Sequence, residues 1–148
     1  MKKFSDLLDI KFAILIEIVL EPINHNGDPN VRVMCNDIIL LNGPLQERKK
    51  IITSVDILDN IEISIQMSDK LYSIDHETAV LIKSITIDGF EVVPNWTHLA
   101  EYDNERNFTD PTSYLGFNGT WRLAIPEPFY RWRHRVTGQG WLLEPSTA

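Results

Sequence analysis

The chain has 148 residues, 43% of them hydrophobic, with 14 basic against 21 acidic side chains and a net charge of -7. One domain of that length buries roughly 70% of its unfolded surface and needs no disulfide or metal staple. The composition excludes disorder, collagen, coiled coil and a disulfide scaffold, and a negative chain lacks the basic excess that sequence-independent nucleic-acid binding requires.

The chain opens Met1-Lys2-Lys3, but Asp6 and Asp9 follow, Glu17 interrupts the apolar run over 12–20, and no small-residue cleavage site comes after it. No signal peptide is expected. No stretch reaches the ~18–20 apolar residues of a membrane span, so the expected product is soluble, made in a cytoplasm, with no membrane and no nucleic-acid partner. The lone Cys35 forms no internal disulfide.

Residues 5–10 suit one short turn. From 11 to 21, Phe12, Ile14, Ile16, Ile18 and Leu20 alternate with Lys11, Glu17 and Glu21, a half-buried strand. Weaker strands follow over 31–35 and 53–58. Ile61, Ile63, Ile65 and Met67 alternate with Glu62, Ser64 and Gln66. The run 79–87 is apolar at both parities, which predicts a central strand covered on both sides. Asp88-Gly89 between two alternating runs signals a type I′ hairpin. Asn26-Gly27, Asn42-Gly43 and Asn118-Gly119 are further turn candidates, and Pro44 should end strand pairing. About nine strands of this kind predict an all-β fold, an antiparallel β-sandwich of jelly-roll type.

The composition changes near residue 94. Residues 1–93 form the Ile-rich sandwich core. Residues 94–148 are a C-terminal extension on the same domain, a long aromatic and Arg-rich arm that carries all four tryptophans. Strands are expected there over 120–125 and 129–136. The three Asn-x-Thr sequons at Asn95, Asn107 and Asn118 read as turn asparagines beside strand threonines.

Nothing in the sequence favours catalysis. There is no Gly-x-Ser-x-Gly elbow. The four histidines have no zinc-ligand spacing. The run 103–107 imitates an EF-hand start, but Phe108 and Tyr114 stand where glycine and the bidentate Glu belong. Asp69, Asp75 and Glu77 flank one loop and could converge on calcium, or form a solvated acidic loop. As a strand, 129–136 puts Arg131, Arg133 and Arg135 on one face and Tyr130, Trp132, His134 and Val136 on the other. With Trp96 and Trp141, these residues are candidates for binding a glycan or a protein partner. In the alternative, the aromatics complete the core and the arginines pair with Glu101, Asp103, Glu105 and Asp110. At least two tryptophans should be largely buried.

Residues 30–93 resemble the calcium-dependent xylan-binding type of carbohydrate-binding module. The resemblance rests on Asn30-Val-Arg-Val-Met34, Leu41-Asn-Gly43, the strand over 61–67 ending in Ser68-Asp69, Asp75-His-Glu-Thr-Ala-Val80 and Ile85-Thr-Ile-Asp-Gly89. It implies a non-catalytic β-sandwich whose loop-bound calcium holds sugar hydroxyls, with Asp69, Asp75 and Glu77 as its ligands. The later segment resembles small proteins of marine tailed phages through Pro94-Asn-Trp-Thr-His-Leu99, Pro111-Thr-Ser-Tyr-Leu-Gly-Phe-Asn-Gly-Thr-Trp121 and Phe129-Tyr-Arg-Trp-Arg-His134. That resemblance implies a binding or structural protein carried on a virion, made in the host cytoplasm. Its partners would be virion proteins, further copies of itself, or a surface polysaccharide. The alternatives are a calcium-dependent glycan-binding module with no virion role and, last, a glycan-active enzyme.

Overall fold

The computed structural model describes residues 13–138. Ten strands run in chain order: β1 (Ala13–Asn24), β2 (Asn30–Cys35), β3 (Ile38–Pro44), β4 (Lys49–Asp56), β5 (Ile61–Ser68), β6 (Thr78–Ile87), β7 (Phe90–Val93), β8 (Glu101–Asn104), β9 (Tyr114–Leu115) and β10 (Gly119–Ile125). A 3-10 turn, Thr97–Leu99, precedes β8, and one helix, α1 (Phe129–Thr137), follows β10. Among the described residues no helix is long and apolar enough to cross a membrane. Trp141, the turn expected over 5–10, and Lys11 and Phe12 lie outside the described residues.

Two antiparallel sheets pack as a sandwich. Sheet I has the order β4-β1-β6-β7, with β9 also paired to β6, and sheet II has the order β3-β2-β5-β10-β8. The alternation read from the sequence sets the inner faces. Ile14, Ile16, Ile18 and Leu20 of β1 meet Ile61, Ile63, Ile65 and Met67 of β5 in one core. Each fully buried isoleucine contributes about 1.5–3 kcal/mol. Across sheet II, Val33 and Trp121 flank Ile65 in register, and Cys35 and Leu123 flank Ile63. Burial pushes the Cys35 thiol up to about 11, which makes it an inert core residue.

The two-sided apolar run of β6 has a different cause from the one expected. Val19 of β1 faces Ser84, but Leu20 faces Ile82, so Lys83 is an extra residue in the ladder. This β-bulge switches the inward parity. Thr78, Val80 and Ile82 point inward before it, and Ile85 and Ile87 after it. Lys83 itself is exposed and lies 3.9 Å from Glu21.

Turn chemistry accounts for two hairpins. Asp88 and Gly89 both have positive φ (51° and 77°) and join β6 to β7, as expected. Asn42-Gly43 does not turn. Both stay in β3, opposite Arg32 and Val31. The hairpin between β2 and β3 closes earlier, at Asn36-Asp37, where φ is 47° and 71°.

The other correction concerns 129–136, which is helical rather than extended. Pro128 precedes the first turn, and Gly138, at φ 71°, caps the last by donating to the His134 carbonyl at 2.9 Å. Phe129, Trp132 and Val136 then share the face that packs on the core. A helix separates the arginines that a strand would align. Arg135 pairs with Glu127 at 3.0 Å, and Arg133 lies over the Phe90 ring at 4.8 Å. Neither contact is with the acidic arm. Trp121 and Trp132 are 1% and 2% exposed, which meets the expectation of two buried indoles.

Gly119 begins β10 where β8 passes closest. A Cβ there would lie 2.3 Å from the Asp103 carbonyl oxygen and 2.6 Å from the Asn104 Cα. Both are backbone atoms, so the ladder itself would have to move. Gly119→Ala should cost about 1–3 kcal/mol, read as a lower urea midpoint with an unchanged slope.

Candidate functional site

The loop 69–77 leaves sheet II at the end of β5 and enters sheet I at the start of β6. Asp69 takes a left-handed φ of 61°, and the chain turns Lys70 inward. The Lys70 side chain is only 3% exposed, yet its neighbours over 71–76 are all exposed. Its ammonium donates to Glu77 Oε1 at 2.5 Å and to the Gly116 carbonyl at 2.6 Å, and stands 4.9 Å from the Tyr72 ring centre. Asn118 grips the Lys70 backbone from the other side. Its Oδ1 accepts the Lys70 N–H at 2.9 Å, and its Nδ2 donates to the Lys70 carbonyl at 3.3 Å.

Both Glu77 oxygens are occupied. Oε1 accepts from Lys70 and from the Thr78 N–H at 3.1 Å, and Oε2 accepts from the Tyr114 hydroxyl at 2.6 Å. Partial burial pushes this carboxyl up, but the Lys70 ammonium and the Tyr114 hydroxyl outweigh it and hold it below the usual Glu range. The Tyr114 phenol is shifted up, by burial and by the neighbouring carboxylate.

Aromatic rings complete the site. The Tyr72 hydroxyl donates to the Glu105 carboxylate and accepts the Asn118 N–H at 3.1 Å. Arg106 lies over the Tyr72 ring, 4.4 Å from its centre. Phe117 is 6.4 Å from Tyr72 and 6.2 Å from Phe108, centre to centre. The Tyr102 hydroxyl bonds both backbone groups of Phe117, and burial pushes that phenol up to about 12. Buried Asn104 accepts the N–H groups of Arg106 and Phe108 on Oδ1 and so shapes the turn that presents Phe108. Tyr72, Tyr102, Phe108, Tyr114 and Phe117, with Lys70, Glu77, Thr112 and Gly116, line a cavity of about 310 Å³. That is at the low end of the ~300–1,000 Å³ common for small-molecule sites. Tyr102 and Thr112 also wall a neighbouring hollow of about 440 Å³, edged by Glu101, Asp103, Asp110 and Arg122.

The residues singled out from sequence lie elsewhere. Trp132 is covered by Phe129, Phe90 and Trp96, with ring centres 5.9, 6.2 and 6.4 Å away. Trp96 is half-buried against Phe90 at 5.1 Å. Tyr130 bonds Asp88 through its hydroxyl. This cluster docks α1 beside the Ile87 end of β6, whereas Glu77 stands at the Thr78 end. The strand rise puts roughly 30 Å between them. Arg131 is exposed on α1. The cavity residues Lys70, Tyr72, Tyr102, Phe108, Tyr114 and Phe117 were not picked out by motif. For Tyr102, Phe108, Tyr114 and Phe117 the one sequence signal is Tyr and Phe recurring among Asn, Asp and Thr over 102–118, and Lys70 and Tyr72 stand outside it.

No family model matches the chain, and no curated protein matches it. Solved structures do resemble it. One is a selenomethionine form of vCBM60, described as part of a circular-permutation link between two families of calcium-dependent carbohydrate-binding modules. It is 11% identical, with a TM-score of 0.50 over 77% of this chain and 91% of that one. Another is vCBM60 in complex with galactobiose, 12% identical, with a TM-score of 0.49 over 76% of this chain and 97% of that one. The first likeness shows the fold: an all-β sandwich of the carbohydrate-binding-module kind.

The calcium ligands implied by the resemblance do not come together. Among the described residues no three His, Cys, Asp or Glu form a group able to hold a metal ion. Glu77 is taken by Lys70 and Tyr114, Asp69 Oδ2 accepts from Asn30 Nδ2 at 3.3 Å, and Asp75 lies in the exposed part of the loop. Calcium needs about six to eight oxygens on one point, and these residues do not fit it.

Glu77→Gln keeps the shape of the site and removes the counter-charge of a buried ammonium. Removing one partner of a fully buried pair costs about 3–5 kcal/mol. Glu77 is 40% exposed, and solvent screening reduces the expected loss at neutral pH to about 1–3 kcal/mol. A carboxyl lowered in the folded state contributes its full stability above the ordinary Glu range and loses it as pH falls through the lowered value. Urea midpoints across that acid range should therefore fall less steeply for Glu77→Gln than for the parent chain.

Proposed function

We propose that this chain is a non-catalytic, carbohydrate-binding-module-like protein carried on a tailed-phage particle, and that the cavity between the 69–77 loop and the 102–118 arm takes a neutral sugar of a surface polysaccharide. One observation carries the reading: a cavity of one-sugar scale is lined by five aromatic rings, three of them exposed, and by a fixed ion pair. Tyr72, Phe108 and Tyr114 are 38–40% exposed. Aromatic faces take the apolar face of a sugar, and fixed polar groups orient its hydroxyls. Lys70 and Arg106 balance Glu77 and Glu105, which favours an uncharged ligand.

The same geometry argues against Glu77 as the general acid of a glycoside hydrolase. A general acid needs a carboxyl pKa raised toward neutrality, and Glu77 is shifted the other way. The placement on a particle rests on the likeness of the segment after Pro94 to phage proteins, with virion proteins or further copies of the chain as its partners there. That extension is read as part of one domain, because β8, β9 and β10 complete both sheets.

Affinity electrophoresis against a panel of neutral and acidic polysaccharides tests the reading. Retention by at least one neutral polymer is expected. Tyr72→Ala should weaken it about tenfold or more, as for the loss of a central aromatic anchor. Arg131→Ala, on the distant helix, should leave it unchanged. No retention on any polymer, or equal retention by Tyr72→Ala, rejects the site. Mass spectrometry of purified particles tests the location, and absence of the chain from them rejects it.

A further inference from the structure

We infer that the Lys70 ammonium is the permanent cation of the 69–77 loop, and that the loop and its cavity are assembled without calcium or any other divalent ion. This holds whether or not the cavity takes a sugar.

The argument starts from where a cation would have to sit. The loop is acidic, with Asp69, Asp75 and Glu77 around one lysine. In most such loops a lysine points outward, since burying an ammonium is costly unless every donor is paired. Lys70 is buried, its ammonium donates to Glu77 Oε1 and the Gly116 carbonyl, and it makes a cation–π contact with the Tyr72 ring, 4.9 Å from the ring centre. Those partners come from the loop and from the 102–118 arm, so one charge ties the two walls of the cavity together. The carboxylate and carbonyl that converge here are the kind of oxygens a hard cation takes, and the ammonium already holds them. A divalent ion on Glu77 would face the lysine's like charge at contact distance. The remaining acids offer no second centre. Asp69 turns toward Asn30, and Asp75 lies out in solvent.

Melting of the full chain in millimolar calcium and in excess chelator decides the matter, with a calorimetric titration of calcium chloride alongside. The two melting temperatures should agree within about 1 °C, and the titration should show no saturable heat. A calcium ion bound at about a hundredfold its Kd would raise melting by roughly 5–10 °C. Such a rise, reversed by chelator, overturns the inference. Lys70→Met removes the ammonium while keeping an unbranched apolar stem, and should lower melting by at least about 4 °C, equally with and without calcium. A Lys70→Met chain as stable as its parent also overturns it. If that variant fails to fold, the parent's calcium response alone decides. Failure of the proposed function is distinguishable. A chain that ignores calcium and binds no polysaccharide rejects the glycan site alone, and one retained on polysaccharide only in calcium rejects this inference alone.

Discussion

One extra residue in one strand constrains everything else. β6 pairs with β1 along its length, and β7 and β9 share its other edge. A regular strand would send Val80 and Ile82 to the face opposite Ile85 and Ile87, because side chains alternate with a period of two. The bulge at Lys83 removes the conflict. All four residues reach the core, and the lysine goes outward beside Glu21. The strand's two ends then have separate duties. Glu77 leads into it at the cavity, and Asp88 leaves it at the turn that Tyr130 holds.

The arm after Pro94 is part of the scaffold before it is part of a site. β10 inserts between β5 and β8, with Trp121, Leu123 and Ile125 turned into the core. Once β10 is placed, Asn118 and Gly116 are fixed beside the loop that follows β5. Six hydrogen bonds then join loop to arm: two between Asn118 and Lys70, one from Lys70 to Gly116, one from Tyr114 to Glu77, and two at the Tyr72 hydroxyl, which donates to Glu105 and accepts the Asn118 N–H. Apolar burial assembles the sheets, and these polar contacts give the cavity its shape. The Lys70–Gly116 bond is buried and the Tyr114–Glu77 bond is exposed, so the ammonium is the group that is costliest to leave half satisfied.

What could be read in advance follows from how local each cause is. β1 and β5 carry their burial pattern in alternation alone, and Asp88-Gly89 carries its turn in the φ values those residues tolerate. Residues 129–136 do not carry theirs. Aromatics and arginines alternate there, so Tyr130, Trp132, His134 and Val136 satisfy a strand while Phe129, Trp132 and Val136 satisfy a helix. Pro126 and Pro128 tip the balance by denying a strand its donors, and Gly138 closes the helix. The cavity was less legible still. Lys70 reads as one more loop charge until Gly116, forty-six residues away, is seen to accept from it. The fold class follows from local rules. The site depends on two loops meeting, which no local rule states.

The buried tryptophans of the arm and the tyrosines of the cavity divide along the same line. An indole is large, and its one donor is easily satisfied. Trp121 sends its Nε1–H to the Thr112 carbonyl at 2.9 Å and is then consumed by the core. A phenol can be tied at its far end and stay open on its face. Tyr72 is tied to Glu105 and Asn118, and Tyr114 to Glu77. Tyr114 is immobilised while still 39% exposed, so a ligand stacking on it meets a surface whose ordering cost was met at folding, whereas Tyr72 already carries the Arg106 guanidinium 4.4 Å from its ring centre. Trp121 and Trp132 mark where the chain needed volume to close the sandwich, whereas Tyr72, Phe108 and Tyr114 mark where it left aromatic surface exposed.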